Sequence, residues 1–459
     1  MPVPWATAAQ SEKPTPISGY TGSEMAFATL RKWIDTCDRK HACRPQSSSL
    51  LPARVLCIRD TGRIFLHCTK PGETGSYACL SHCWGAYQPL RTTTANIASH
   101  QSAIHEDALP PVFLQAISVA ARLHIPYLWI DSLCIIQDSE SDWQMQSALM
   151  VDIYANSIIT ISAALATCDL DALFVRSPQY NQFIPLEAGA SLGISARATL
   201  KHGTGTSLPL LSRAWVLQER LLSPRVVHFT WEELIWECME QTTCECGCIR
   251  SLWSPNFVPF DKNLLFDKIL RHDSKMESKE RWYRLVEEYS RLQLTLDRDR
   301  LPAISGAARR LSEFTGYTYL AGLWKETLIS DLLWERKSRF AIRQLDLIPS
   351  WSWAKLGCEV EFDRSMSMQE LATVITASCD SSGHDAFGEV TGGRIQLSTV
   401  VQPPSAVIAG AKTNDENASF QIASDNYSDK DTGSLCARMA IRRQVYATES
   451  DDEDISSGI

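Results

Sequence analysis

Two short stretches bring together side chains able to do chemistry. In the first, Ser81 and His82 precede Trp84 and Gly85; in the second, Asp131, Ser132, Cys134, Gln137, Asp138, Trp143 and Gln146 follow one another within a few turns. A histidine can serve as a general base only when a third group orients it. No such group stands near His82 in the chain, so it reads as a hydrogen-bonded histidine holding the turn at Trp84. Asp131 is flanked by apolar residues, which predicts burial, and a buried carboxylate must be satisfied by backbone amides or belong to a site. Cys134 has no neighbouring cation to stabilise a thiolate and reads as packing. Trp143, Gln146, Met150 and Ile153 are spaced 3, 4 and 3 residues apart. That is one helix face, so the Gln146 amide must point to the interior or a cleft.

The 15 cysteines are an odd number spread along the chain, which suits a reducing compartment, with metal binding as the main exception. Cys238, Cys244, Cys246 and Cys248 fall within eleven residues, a thiol set able to close a structural zinc site by itself. A second cluster is Cys37-x3-His41-x-Cys43. Neither has the paired C-x2-C spacing of a zinc ribbon or finger. No Gly-rich phosphate loop follows a strand and no Ser-centred elbow occurs, which argues against a nucleotide switch and an α/β hydrolase.

The elements around these residues must form an α/β sheet. Residues 55–58 and 64–67 read as a strand pair, and 77–82 as a strand ending at the Trp84-Gly85 turn. Behind Pro110 and Pro111, the recurrence of Phe113, Ile117, Ala120, Ala121 and His124 predicts a helix. The run YLWIDSLCII at 127–136 reads as a strand covered on both faces. Ser139 and Asp142 match a capping box that opens a second helix, and SIITISAA at 157–164 is another buried strand. This alternation predicts parallel strands joined by crossovers. A helix over 211–223 and a β-hairpin at 226–231 and 234–238 follow. In an open parallel sheet ligands sit at the carboxyl ends of strands. That rim receives Ser81, His82, Trp84 and Gly85, then Asp131, Ser132 and Cys134 along the middle strand, Gln137 and Asp138 just past it, and Trp143 and Gln146 on the next helix.

The whole chain of 459 residues is 44% hydrophobic and 21% charged, with a net charge of −9, an ordinary globular composition too long for one core. The expected organisation is a flexible leader at 1–22, a helix and strand lead-in at 23–76, and an α/β domain at 77–220. A hairpin and Cys-rich segment follow at 221–258, then a helical and later β-rich region at 259–445, and an acidic tail at 446–459. The acidic balance offers no field for nucleic acid. No apolar run is long enough to span a bilayer and no secretory signal opens the chain, so a cytoplasmic location is expected.

The motifs LSHCWG (80–85), Leu109-Pro110, YLWIDSLCIIQDS (127–139), Asp142-Trp143, Met150, Ile153-Tyr154 and RAWVLQERLLSPR (213–225) occur in that order. Together they resemble the heterokaryon-incompatibility (HET) domain of filamentous fungi. The likeness continues in WEC (236–238), YLAGLW (319–324), LLWER (332–336) and PSWSWA (349–354). The resemblance implies non-self recognition and cell-death signalling. It also implies a fold similar to Toll/interleukin-1 receptor (TIR) domains, a flavodoxin-like parallel sheet with flanking helices, here joined to a C-terminal mixed α+β region. NAD is a ligand the resemblance implies, because some TIR domains cleave it with a helix glutamate. HET domains usually carry Glu where this chain has Gln146. A carboxylate stabilises the positive charge that builds on the sugar as the nicotinamide bond breaks, and an amide carries no net charge. The expectation is therefore little or no NAD cleavage, and action by protein partners or self-association. The alternatives are a NAD glycohydrolase using another carboxylate, and an inactive regulatory relative. Gln115, where the family often has Asp, reads as a surface change. Arg213, Glu219 and Arg220 could pair in an interface, but an amphipathic helix with Trp215 and Leu217 or Leu221 in the core and its charges solvated is the preferred reading.

Overall fold

The computed structural model describes residues 17–43, 48–58, 63–85, 90–180, 184–185, 195–196, 208–247, 275–337, 348–364, 372–381, 385–399 and 419–422. Most of the expected leader, the acidic tail and Cys248 lie outside the described residues. The chain divides into two compact units, Met1–Gly316 with Phe387–Glu389, and Tyr317–Ala386 with Val390–Ile459.

The first unit is built on an eight-stranded sheet whose strands are β1 (Arg54–Cys57), β2 (Phe65–Cys68), β3 (Tyr77–Ser81), β4 (Tyr127–Trp129), β5 (Ile159–Ser162), β6 (Arg225–Phe229), β7 (Leu234–Cys238) and β8 (Thr242–Cys244), in the spatial order β8-β7-β6-β5-β3-β4-β1-β2. The four central strands, β6-β5-β3-β4, are parallel. On one side β1 joins β4 antiparallel and carries β2 as a hairpin, and on the other β7 and β8 add antiparallel strands. The expected parallel sheet is therefore the centre of a mixed one. Short connections reverse the chain at both edges, and only a long crossover can make a parallel pair. All residues of β3, β4, β5, β6 and β7 are buried, as a sheet covered on both faces requires.

The helices are α1 (Glu24–Lys40), α2 (Ile97–Ser102), α3 (Pro111–Arg122), the single turn α4 (Asp131–Cys134), α5 (Glu140–Ala155), α6 (Ala214–Leu222), α7 (Lys275–Tyr289) and α8 (Ser305–Thr315). Their ends follow local rules. Ser23 caps α1 by accepting from the Ala26 N–H, Pro111 takes the first position of α3, and Ser139 caps α5 by accepting from the Asp142 N–H. The Asp142 carboxylate does not reach back to complete the box. It accepts instead from Arg54 at 2.6 Å and from the Ile136 N–H at 2.8 Å, tying the start of α5 to β1.

One expected element is shorter than its pattern. The apolar run at 127–136 forms a strand only to Trp129, then turns into α4. A continuous apolar run does not distinguish a strand from a buried helical turn. Asp131 opens that turn by accepting the Ser132 N–H at 2.7 Å. Asp131, Ser132 and Cys134 therefore sit beyond the end of β4 rather than along it, and β4 lies between β3 and β1 rather than at the middle of the parallel set.

The second unit is β-rich and packed with tryptophan. Two-stranded pairs join Tyr319–Leu320 to Leu323–Trp324 and Trp334–Arg336 to Val360–Phe362, and Ala372–Ser381, Val390–Thr399 and Ser419–Ile422 form an antiparallel meander. The motifs YLAGLW and PSWSWA meet here. Trp353 donates its indole N–H to the Gly322 carbonyl at 2.9 Å, and the Ser352 hydroxyl donates to the Ala321 carbonyl at 2.5 Å. Gly322 has φ +97°, and an added Cβ would lie 2.5 Å from the Trp353 indole nitrogen, so only glycine fits that turn.

Candidate active site

The carboxyl end of β3 delivers Ser81 and His82 into the interior. His82 Nε2 lies 3.0 Å from Asp169 Oδ1, and Nδ1 lies 3.7 Å from Asp131 Oδ1. Phe113 of α3 meets the imidazole edge-on with centroids 5.1 Å apart. His82 is thus held between two acids contributed by the segments following β4 and β5. The expectation that it has no orienting partner is corrected, because those partners are 49 and 87 residues further on (131 − 82 and 169 − 82). Burial works against a charged imidazole here, but Asp131 and Asp169 outweigh it and raise the His82 pKa.

Asp131 sits at the mouth of this arrangement. Its Oδ2 accepts the Trp84 indole N–H at 2.8 Å and its Oδ1 accepts the Ser132 N–H. Its side chain is 21% exposed, against 1% for His82 and for Asp169. Desolvation raises its pKa, opposed by His82 and by these hydrogen bonds. The Trp84-Gly85 turn has a steric origin. Gly85 has φ +73°, and a Cβ there would lie 2.3 Å from the Cβ of Cys168. The turns after β3 and β5 are pressed together, and this contact sets Trp84 over Asp131.

A third carboxyl joins from a helix whose charges were expected in solvent. Glu219 of α6 is buried, beside the Ser81 and Tyr154 hydroxyls, with Arg213 and Asp131 as its nearest charged influences. Burial pushes its pKa up to about 7, and the Asp131 charge adds to the rise. Among the described residues Glu219 Oε2 has no hydrogen-bond partner, nor does the Ser132 hydroxyl. Its neighbour Arg220 is also buried and grips Glu237 of β7 through two N–H···O contacts of 2.6 and 2.7 Å. Glu237 in turn meets His228 at 3.2 Å, and His228 meets the Ser162 hydroxyl at 2.9 Å. A short amphipathic helix on the surface would leave such charges in water; α6 is covered by the rest of the unit, so Arg220 is matched internally by Glu237, while Glu219 is buried with one carboxylate oxygen unpartnered among the described residues. Trp215, expected in the core, is only half-buried and packs against it, with its indole N–H donating to Asp299 at 3.0 Å, while Leu217 and Leu221 are in the core.

The remaining predicted residues divide. Gln146, Met150 and Ile153 are buried on one face of α5, and Trp143 is half-buried. The Gln146 side chain is an uncharged amide in the interior, its Oε1 without a hydrogen-bond partner among the described residues. Gln137 donates its amide to the Asp131 and Ile135 carbonyls, both at 3.0 Å, and so supports α4. Asp138 is exposed and accepts from the Thr94 N–H and hydroxyl; it shapes a loop. Burial pushes the Cys134 thiol up to about 12, in keeping with packing. Gln115 is not a bare surface change: its Oε1 accepts the Phe174 N–H at 2.8 Å. Of the added residues, Glu219 lies inside RAWVLQER and its motif was visible, whereas nothing in the pattern around Asp169 marks it.

The thiols also regroup. Cys238 does not stand with Cys244 and Cys246. It joins Cys37, His41 and Cys43, all four donor atoms within 4.8 Å of one another, while Cys244 and Cys246 gather with Glu233. Both groups have the donor chemistry of a metal site.

Among the described residues no helix is long and apolar enough to cross a membrane. Residues 77–219 match the family model described as heterokaryon incompatibility protein (HET). No curated protein and no solved structure matches the chain.

Proposed function

From a chain that carries a heterokaryon-incompatibility domain, we propose a protein of non-self recognition and cell-death signalling that acts by binding or self-association of that domain rather than by NAD cleavage. The observation carrying this reading is Gln146, buried on α5 as a neutral amide where the resemblance would draw a catalytic carboxylate. Loss of one such electrostatic group costs on the order of 3–4 kcal/mol of transition-state stabilisation, about a hundred- to a thousand-fold in rate. The near-complete burial of His82 and Asp169 supports the same reading, since only Asp131 in that trio reaches solvent. A TIR-like, flavodoxin-type lineage is supported by the parallel strands: numbered along the chain they lie in the order 2-1-3-4, which is the start of the flavodoxin order.

A second reading has its own observation. Glu219 places a carboxyl with an unpartnered oxygen beside Ser81 at the strand ends, and it could take the role that Gln146 leaves vacant in a NAD glycohydrolase. The two readings separate when the full chain is incubated with NAD and nicotinamide release is followed, alongside expression in a filamentous host with viability and NAD content measured. The expected result is loss of viability without NAD depletion and no release above background. Steady turnover that Glu219→Gln or Asp131→Asn abolishes, with folding intact, would transfer the function to the enzyme reading. A host that remains viable points to a regulatory relative.

A further inference from the structure

We infer that Cys37, His41, Cys43 and Cys238 form a structural zinc site that fastens the end of α1 to the sheet. The four donors come from two segments about 195 residues apart in sequence. Cys37 lies in the last turn of α1, His41 is its C-cap, Cys43 follows two residues on, and Cys238 ends β7. Cys37 and Cys238 are fully buried, Cys43 is 7% exposed, and all three thiols are free. Cys37 Sγ and Cys43 Sγ are 3.4 Å apart, and Cys238 Sγ is 3.3 Å from His41 Nδ1. Zinc–sulfur and zinc–nitrogen bonds of about 2.3 and 2.05 Å in a tetrahedron put sulfurs about 3.8 Å apart and sulfur and nitrogen about 3.6 Å apart. These two pairs need to part by only a few tenths of an ångström to receive the ion, and all four donor atoms already lie within 4.8 Å of one another. Four protein donors leave no open position for water or substrate, which makes the site structural rather than catalytic.

The charge balance points the same way. Three thiolates and a neutral imidazole around Zn²⁺ carry one net negative charge. Arg225 is buried, and its Nε–H donates to Cys37 Sγ at 3.3 Å. Arg225 is also the cross-strand partner of Cys238 in the β6–β7 ladder, so register alone brings a cation to the cluster, and Asp38 holds its far end. Ligand-orienting hydrogen bonds of this kind support metal sites. Nearby, Trp33 of α1 packs on Trp236 of β7 with centroids 6.2 Å apart. The metal would close the same helix–strand contact at its other end, where α1 stops at its C-cap His41.

The full chain, purified under reducing conditions from zinc-replete medium without chelators, tests this by metal analysis. About one zinc per chain is expected, falling below about a tenth in Cys43→Ser and Cys238→Ser. It should be retained in His41→Cys, which keeps four good donors, and in Cys244→Ser and Cys246→Ser, which alter the other thiol group. Cobalt(II) substitution adds a readout independent of yield: thiolate-to-metal charge-transfer bands present in the parent and in His41→Cys. A parent protein that binds neither ion with its thiols reduced would overturn the inference, whatever the variants do. So would zinc lost on changing Cys244 or Cys246 and kept on changing Cys43.

Discussion

Replacing Arg220 by Met tests how the buried charges of the first unit are held. The guanidinium binds both oxygens of Glu237, with the two side chains 5% and 1% exposed, and His228 is the other group contacting that carboxylate among the described residues. Burial by itself would raise the Glu237 pKa; Arg220 and then His228 outweigh it and hold the carboxyl well below its usual range. Removing the guanidinium strands a charge in the core, which costs about 3–5 kcal/mol. With a urea m-value of about 3 kcal/mol/M the midpoint falls by about 1–1.7 M, readable by fluorescence from the buried Trp236 and Trp129. The sign with pH follows from linkage. In the parent a depressed carboxyl contributes stability above its unfolded pKa of about 4.3, lost as pH falls through the lower folded value. In Arg220→Met the carboxyl titrates high, so its penalty is present at neutral pH and fades on acidification. The difference between the two proteins must therefore shrink from pH 7 toward pH 4.5. The double variant Arg220→Met, Glu237→Met should recover most of the loss, because a matched apolar pair replaces a buried ion pair at little cost. A loss below about 1 kcal/mol at pH 7, or one that does not change with pH, would refute this reasoning.

Glu219 gives the opposite pH signature. Its folded pKa near 7 lies above the unfolded value, so folding takes up a proton and stability declines as pH rises from about 4.3 to about 7, by on the order of 3 kcal/mol. Glu219→Gln should flatten that dependence when unfolding is measured at pH 5 and pH 8. Gly85→Ala and Gly72→Ala separate strain from crowding. Both glycines have positive φ, +73° and +79°, but only Gly85 meets another residue. Gly72→Ala should lose about 1–2 kcal/mol, and Gly85→Ala distinctly more, as judged by paired urea melts.

Much of the fold is legible because local physics decides it. Pro111, Ser139 and the spacing of Phe113, Ile117 and Ala120 define two helices without reference to the rest of the chain, although Ala121 and His124 of the same pattern prove exposed, and the hairpin of β6 and β7 follows from two apolar runs around Glu232 and Glu233. The burial of Gln146 follows in the same way from helical periodicity. The run at 127–136 misled because burial on both faces erases the alternation that marks a strand, and the turn at Asp131 is held by side-chain hydrogen bonds of Asp131 and Gln137 that the apolar pattern does not mark. The charges of RAWVLQER misled because composition does not tell how thickly a helix is covered.

By itself the chain determines its strands and helices, the positions that must face inward, and the ordered motifs that carry the family likeness, since each depends on neighbours within about a dozen residues. Only the tertiary structure decides who meets whom. It brings Asp131 and Asp169 to His82, Glu219 to Ser81, and Cys238 to Cys37, His41 and Cys43 rather than to the cysteines beside it. Those encounters are fixed by strand order and register, where residues distant in sequence become neighbours across a ladder or at the ends of adjacent strands, and no spacing along the chain encodes that.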